Sequence, residues 1–119
     1  MMWGVPQGHV YLVGGVTDMR KSIDGLALLV AEELELNPVC PNCFVFCNRG
    51  KDKLKILQFD VNGFWLHYKR LENSRFVWPR DVSDQTAVQV TVRQLRWLLD
   101  GLEWHKAIAH QPLSQREVR

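Results

Sequence analysis

The chain reads as an α+β protein: a small antiparallel β-meander sheet with two helices packed against it, on one face or at its ends. Three observations lead there. Between Phe44 and Trp78, short alternating apolar runs are separated by turns too short for a crossover, which makes consecutive strands antiparallel neighbours. Helical apolar spacing falls outside that stretch, at Leu26, Leu29, Val30 and Leu34 before it and at Leu95, Leu98, Leu99 and Leu102 after it. A length of 119 residues, 46% hydrophobic and 24% charged, suits one ordinary globular domain, residues 1–105, with a loosely held tail, 106–119.

The first element, Val10–Val13 (VYLV), is rich in β-branched and aromatic residues and closes at Gly14-Gly15, the pattern of a short strand. A helix follows from Ile23 to about Leu36, with Ser22 at the N-cap, Asp24 in the first turn and Pro38 beyond its end. Phe44–Cys47 begins the meander, and Asn48–Asp52 turns the chain into Lys53–Phe59. There Leu54 and Ile56 share one face, and Lys53, Lys55, Leu57 and Phe59 the other. Asp60-Val61-Asn62-Gly63 is a turn signal because Asn and Gly tolerate positive φ. Phe64–Arg70 is the third strand, and Arg75–Trp78 a fourth ended by Pro79. Asp81–Thr86 reads as a connector, and Val88 and Val90 as a brief further strand. Thr91-Val92-Arg93-Gln94 is a capping box opening the last helix, and Gly101 its C-cap.

Charge is polarised. From Phe44 to Arg80 eight basic residues (Arg49, Lys51, Lys53, Lys55, Lys69, Arg70, Arg75 and Arg80) face three acidic ones, whereas the rest of the chain has seven against ten. The net charge of +2 therefore hides a basic centre, which suits an anionic partner. Aromatic residues interleave with these cations, so nucleic acid is the first anion to consider.

Other function classes fit poorly. The chain has no Gly-rich phosphate loop, nucleophile elbow or His pair at helical metal spacing, so catalysis and a bound cofactor are not expected. Cys40, Cys43 and Cys47 lie in CPNCFVFC, a spacing that zinc or redox chemistry can use, but no further Cys pair completes a four-ligand site. They read as reduced thiols beside a strand, the alternative being a zinc shared between two chains. No apolar run suits a membrane helix, and MMWGVPQGHV lacks the features of a signal peptide, so a cytoplasmic location is expected.

Four blocks, T-D-M-R-K-S at Thr17–Ser22, F-x-N-R at Phe46–Arg49, Y-K-R-L at Tyr68–Leu71 and F-x-W-P at Phe76–Pro79, are jointly specific. Over about residues 10–104 the chain resembles the TnpB (Orf2-like) accessory proteins of the insertion-sequence-66 family of bacterial transposable elements. The resemblance implies a noncatalytic helper of DNA transposition, encoded beside a large transposase that carries the strand-breaking acidic residues itself. Two departures stand out: Gln58 replaces a residue that tends to be aromatic, and CPNC replaces a Pro-Phe-Ser-Gly-like turn.

The candidate nucleic-acid-binding residues are Arg20, Lys21, Asn48, Arg49, Lys51, Lys53, Lys55, Trp65, Lys69, Arg70 and Arg75. Arg20 and Lys21 precede a helix and could grip phosphate, or Asp18 and Arg20 could pair to order the turn. Lys51, Lys53 and Lys55 would share one hairpin face and follow a phosphate backbone, or else guard an edge hairpin from aggregation. Among Trp65, Tyr68 and Trp78, most are expected in the core, with Trp65 the best stacking platform. The expected partners are DNA at the element ends and the element's transposase, and a homo-oligomer is compatible with both. The rival function is a protein-interaction subunit docking on the transposase through aromatic surface, without contacting DNA.

Overall fold

Cys43–Cys47 forms a strand buried along its whole length, both faces covered, which places it at the centre of the molecule. The computed structural model describes residues 8–79 and 86–101. In chain order the elements are β1 (Val10–Val13), α1 (Ile23–Glu32), β2 (Cys43–Cys47), β3 (Lys53–Asp60), β4 (Gly63–Arg70), β5 (Ala87–Val90) and α2 (Val92–Leu99). The five strands make one sheet in the order β4-β3-β2-β1-β5.

The meander expectation holds for β2-β3-β4, which pair antiparallel from Cys43↔Gln58 to Asp60↔Gly63. The sheet as a whole is mixed, because β1 lies parallel to β2, with Val10 opposite Cys43. The intervening 14–42 segment, α1 included, is long enough to return the chain for a parallel neighbour. β5 pairs antiparallel with β1, Val10↔Val90 to Val13↔Ala87, as the brief strand expected from Val88 and Val90.

The helices lie on opposite faces of the sheet, which corrects the expectation of one face or the ends. Leu26 and Val30 of α1 pack with Val13, Phe44, Phe46 and Leu57. Leu95 and Leu98 of α2 pack with Val10, Leu12, Cys43, Val45, Cys47, Leu54 and Ile56 on the other side. Alternation along β2 feeds both clusters, which is why this strand carries no polar residue.

Three local readings change. α1 stops at Glu32, short of Leu36: Glu35 takes a left-handed φ of 55° and the Leu36 N–H reaches the Val30 carbonyl, folding Leu34 and Leu36 back onto the α1-side core. Ser22 occupies the N-cap without a side-chain bond. Arg75–Trp78 is not a strand. Its alternation arises because Phe76 and Trp78 insert into the α2-side core, while the Phe76 N–H bonds to the Lys51 carbonyl at 2.7 Å. The capping box forms as read, with Gln94 N–H to Thr91 Oγ1 at 3.0 Å and Thr91 N–H to Gln94 Oε1 at 2.8 Å. Gly101 follows α2 at φ 76°, the conformation glycine tolerates. Arg80, the Asp81–Gln85 part of the connector, Leu102 and the 106–119 tail lie outside the described residues.

Candidate nucleic-acid interface

The β2–β3 turn is built by Asn48. Its Oδ1 accepts from the Asp52 and Lys53 N–H groups at 3.1 and 3.0 Å, and its Nδ2 donates to Asp52 Oδ1 at 2.8 Å. That last bond is the main reason the Asp52 carboxyl sits below its usual pKa. Lys51 takes φ 62° at the tip. The chain then returns to this turn after β4, where Leu71 N–H bonds to the Asp52 carbonyl at 2.8 Å.

The loop before α1 lies alongside the same end of the sheet. Thr17 is buried, and its N–H bonds to the Cys47 carbonyl at 2.9 Å. Arg20 pairs with Asp18 through Nε at 3.1 Å and Nη2 at 2.7 Å, and this hydrogen bonding holds the Asp18 carboxyl at about 2. Lys55 crosses from β3 to clamp the loop: its Nζ donates to the Met19 and Lys21 carbonyls at 2.8 and 2.7 Å, and lies 5.6 Å from the Tyr68 ring centre.

Most of the candidate cations therefore have an intramolecular acceptor. Arg70 Nε donates to Glu72 at 2.9 Å, Arg75 Nε to the Gly50 carbonyl at 3.0 Å, and Lys69 Nζ to the Leu99 carbonyl at 2.7 Å, closing the C-terminus of α2. Lys53 is 3.9 Å from Asp52. Among the described residues of the turn and loop, Lys21, Arg49 and Lys51 have no side-chain hydrogen bond or ion pair. Arg49 lines a half-open cavity of about 410 Å³ with Val13, Gly14, Gly15, Val16, Thr17, Leu29 and Glu33.

The basic residues thus gather at one end of the sheet and not on one face. Lys53 lies opposite Arg70 and Lys55 opposite Tyr68, all toward α1, whereas Lys69 points toward α2 and Lys51 sits in the turn. Two candidates serve the fold instead of a free surface: Asn48 is committed to its turn, and Lys55 to the loop carbonyls. Trp65 is 56% exposed on edge strand β4, stacked on His67 with ring centres 6.0 Å apart. Tyr68 is 54% exposed on the other face of the strand, and Trp78 is buried. Sequence reasoning missed that Arg49 lines one cavity with Gly14 and Gly15, and no local pattern encodes that placement.

Among the described residues no group of three His, Cys, Asp or Glu side chains could hold an ion. Burial pushes Cys43 up to about 12 and Cys47 up to about 11, so both are poor thiolates.

The profile of the IS66 Orf2-like proteins matches residues 8–109. This chain belongs to the IS66 Orf2-like family. Two Sinorhizobium fredii (strain NBRC 101917 / NGR234) proteins are similar to it. The uncharacterized protein y4hO is 42% identical over 103 residues, covering 84% of this chain and 88% of the relative. The uncharacterized protein y4jC is 33% identical over 98 residues, covering 82% and 81%. No solved structure matches the chain. Membership in the IS66 Orf2-like family suggests an accessory role in transposition. No helix among the described residues is long and apolar enough to cross a membrane.

Proposed function

We propose that this IS66 Orf2-like protein is a noncatalytic accessory factor of DNA transposition that binds nucleic acid through the end of its sheet. The observation that carries the reading is the meeting of two distant segments, the T-D-M-R-K-S loop and the N-R-G-K-D turn, with Lys21, Arg49 and Lys51 left without side-chain acceptors among the described residues. Cations lacking an internal partner keep their full attraction for phosphate, whereas a tethered one must give up its bond first. Arg20 and Arg70 are exposed, and their pairing with carboxylates across a few residues is weak enough to share with a phosphate. The DNA at the element ends is the proposed ligand.

The exposure of Trp65 and Tyr68 favours a second reading, docking on the element's transposase through β4. One experiment separates the two. Purified wild type, a Lys21→Ala/Arg49→Ala/Lys51→Ala variant and Trp65→Ala are tested for a mobility shift of terminal-repeat DNA, for transposase pull-down, and for transposition frequency in cells. The DNA reading expects the charge variant to lose the shift and transposition while Trp65→Ala keeps the shift. An intact shift and intact transposition in the charge variant, with pull-down lost in Trp65→Ala, would give first place to docking.

A further inference from the structure

The outer edge of β4 is long and, among the described residues, unpaired. Gly63–Arg70 forms eight regular residues paired to β3 without interruption, and no described strand lies on its other side. Natural edge strands of this length are usually shortened, bulged, broken by Pro or lined with charge. Here the charges stand only at the C-terminal end, and they are drawn away: Lys69 onto the Leu99 carbonyl and Arg70 onto Glu72. Trp65 and Tyr68 remain more than half exposed on its two faces.

We propose that β4 pairs antiparallel with β4 of a second copy of this chain, across a two-fold axis at His67. The two five-stranded sheets then become one of ten strands. A two-fold axis perpendicular to the sheet sets each residue opposite one from the same face, so paired residue numbers must have an even sum. Two such registers keep seven of the eight residues paired. Centring on Leu66 leaves Arg70 beyond the partner strand and sets Lys69 against Gly63. Centring on His67 instead sets Lys69 across from the partner's Trp65, and Tyr68 across from the partner's Leu66. The aliphatic stem of Lys69, its ammonium held on the Leu99 carbonyl, beside an indole, and a tyrosine beside a leucine, are favourable cross-strand pairs.

Charge disposition also selects a second copy over an arbitrary strand. Antiparallel self-pairing carries the Lys69-Arg70 ends to opposite ends of the junction, so like charges never face each other. The same operation turns the two basic sheet ends in opposite directions along the strands. This inference does not depend on nucleic-acid binding, and its test contains no DNA.

Sedimentation of the full chain across micromolar to submillimolar concentrations should show reversible monomer–dimer exchange. Trp65→Lys with Tyr68→Lys sets lysine against lysine and should raise the dimer dissociation constant about tenfold or more, with the circular dichroism retained. Val88→Lys on the other edge strand should leave it unchanged. His67→Cys places two thiols on the axis within disulfide reach, so mild oxidation should give a covalent dimer that wild type does not form. A chain that stays monomeric at every concentration overturns the proposal. So does a dimer that survives the Trp65/Tyr68 change but dissociates with Val88→Lys, and so does failure of His67→Cys to cross-link.

Discussion

Lys55 sits in the middle of the densest basic run, yet its ammonium is bonded to two carbonyls of the loop before α1. Nothing in the sequence marks this, because the acceptors are backbone atoms more than thirty residues away. Lys55→Met keeps the aliphatic stem and removes both bonds, and chemical denaturation should register a loss of about 2 kcal/mol. Removing lysines 51, 53 and 55 together should therefore lower stability through the loss of the Lys55 bonds. His67 makes a second test. Burial lowers its pKa from 6.5, so the fold favours the neutral ring. The folded state then binds fewer protons than the unfolded one. Its stability contribution is full above about pH 6.5 and declines as acid protonates the unfolded imidazole. Melting temperature should fall between about pH 7 and about pH 5, and His67→Gln should flatten that fall. Asp18 acts in a separate window: its lowered pKa contributes stability above 3.8 that is lost as pH drops through about 2.

At the level of elements, the parts with local chemistry were legible and the parts set by distant contacts were not. The capping box of α2 was readable because Thr91 and Gln94 carry the whole device within four residues. Thr91→Ala should cost about 1 kcal/mol in a urea titration, with the helix still formed. The β3–β4 turn was readable as a turn, but the positive φ falls on Val61, at 51°, and not on Asn62 or Gly63. A β-branched residue is strained there, and Val61 is 90% exposed, so nothing holds its side chain. Val61→Asn should raise stability by about 1 kcal/mol, read as a higher denaturation midpoint with the same slope. The segment Arg75–Trp78 was misread because an extended stretch inserting Phe76 and Trp78 into a core alternates just as a strand does. Parallel pairing of β1 with β2 was invisible, since register between segments thirty residues apart has no local signature.

For the whole molecule, the α+β class followed from periodicity, whereas placing one helix on each face required knowing that β2 is central and buried on both sides. Charge polarity was also readable, but its form was not. Alternation along a hairpin suggested a basic face. The turn at Asn48, the loop clamped by Lys55 and the return of Leu71 and Phe76 gather the charge at one end of the sheet instead. That end, with Lys21, Arg49 and Lys51 free of acceptors among the described residues, is the proposed nucleic-acid contact. The direct measurement is the dependence of duplex affinity on salt for wild type and the Lys21→Ala/Arg49→Ala/Lys51→Ala variant. Three lost phosphate contacts should reduce the magnitude of the log–log slope by about 2.7, on any sequence alike. A variant that binds as tightly as wild type with an unchanged slope would contradict the assignment of this end as the binding surface.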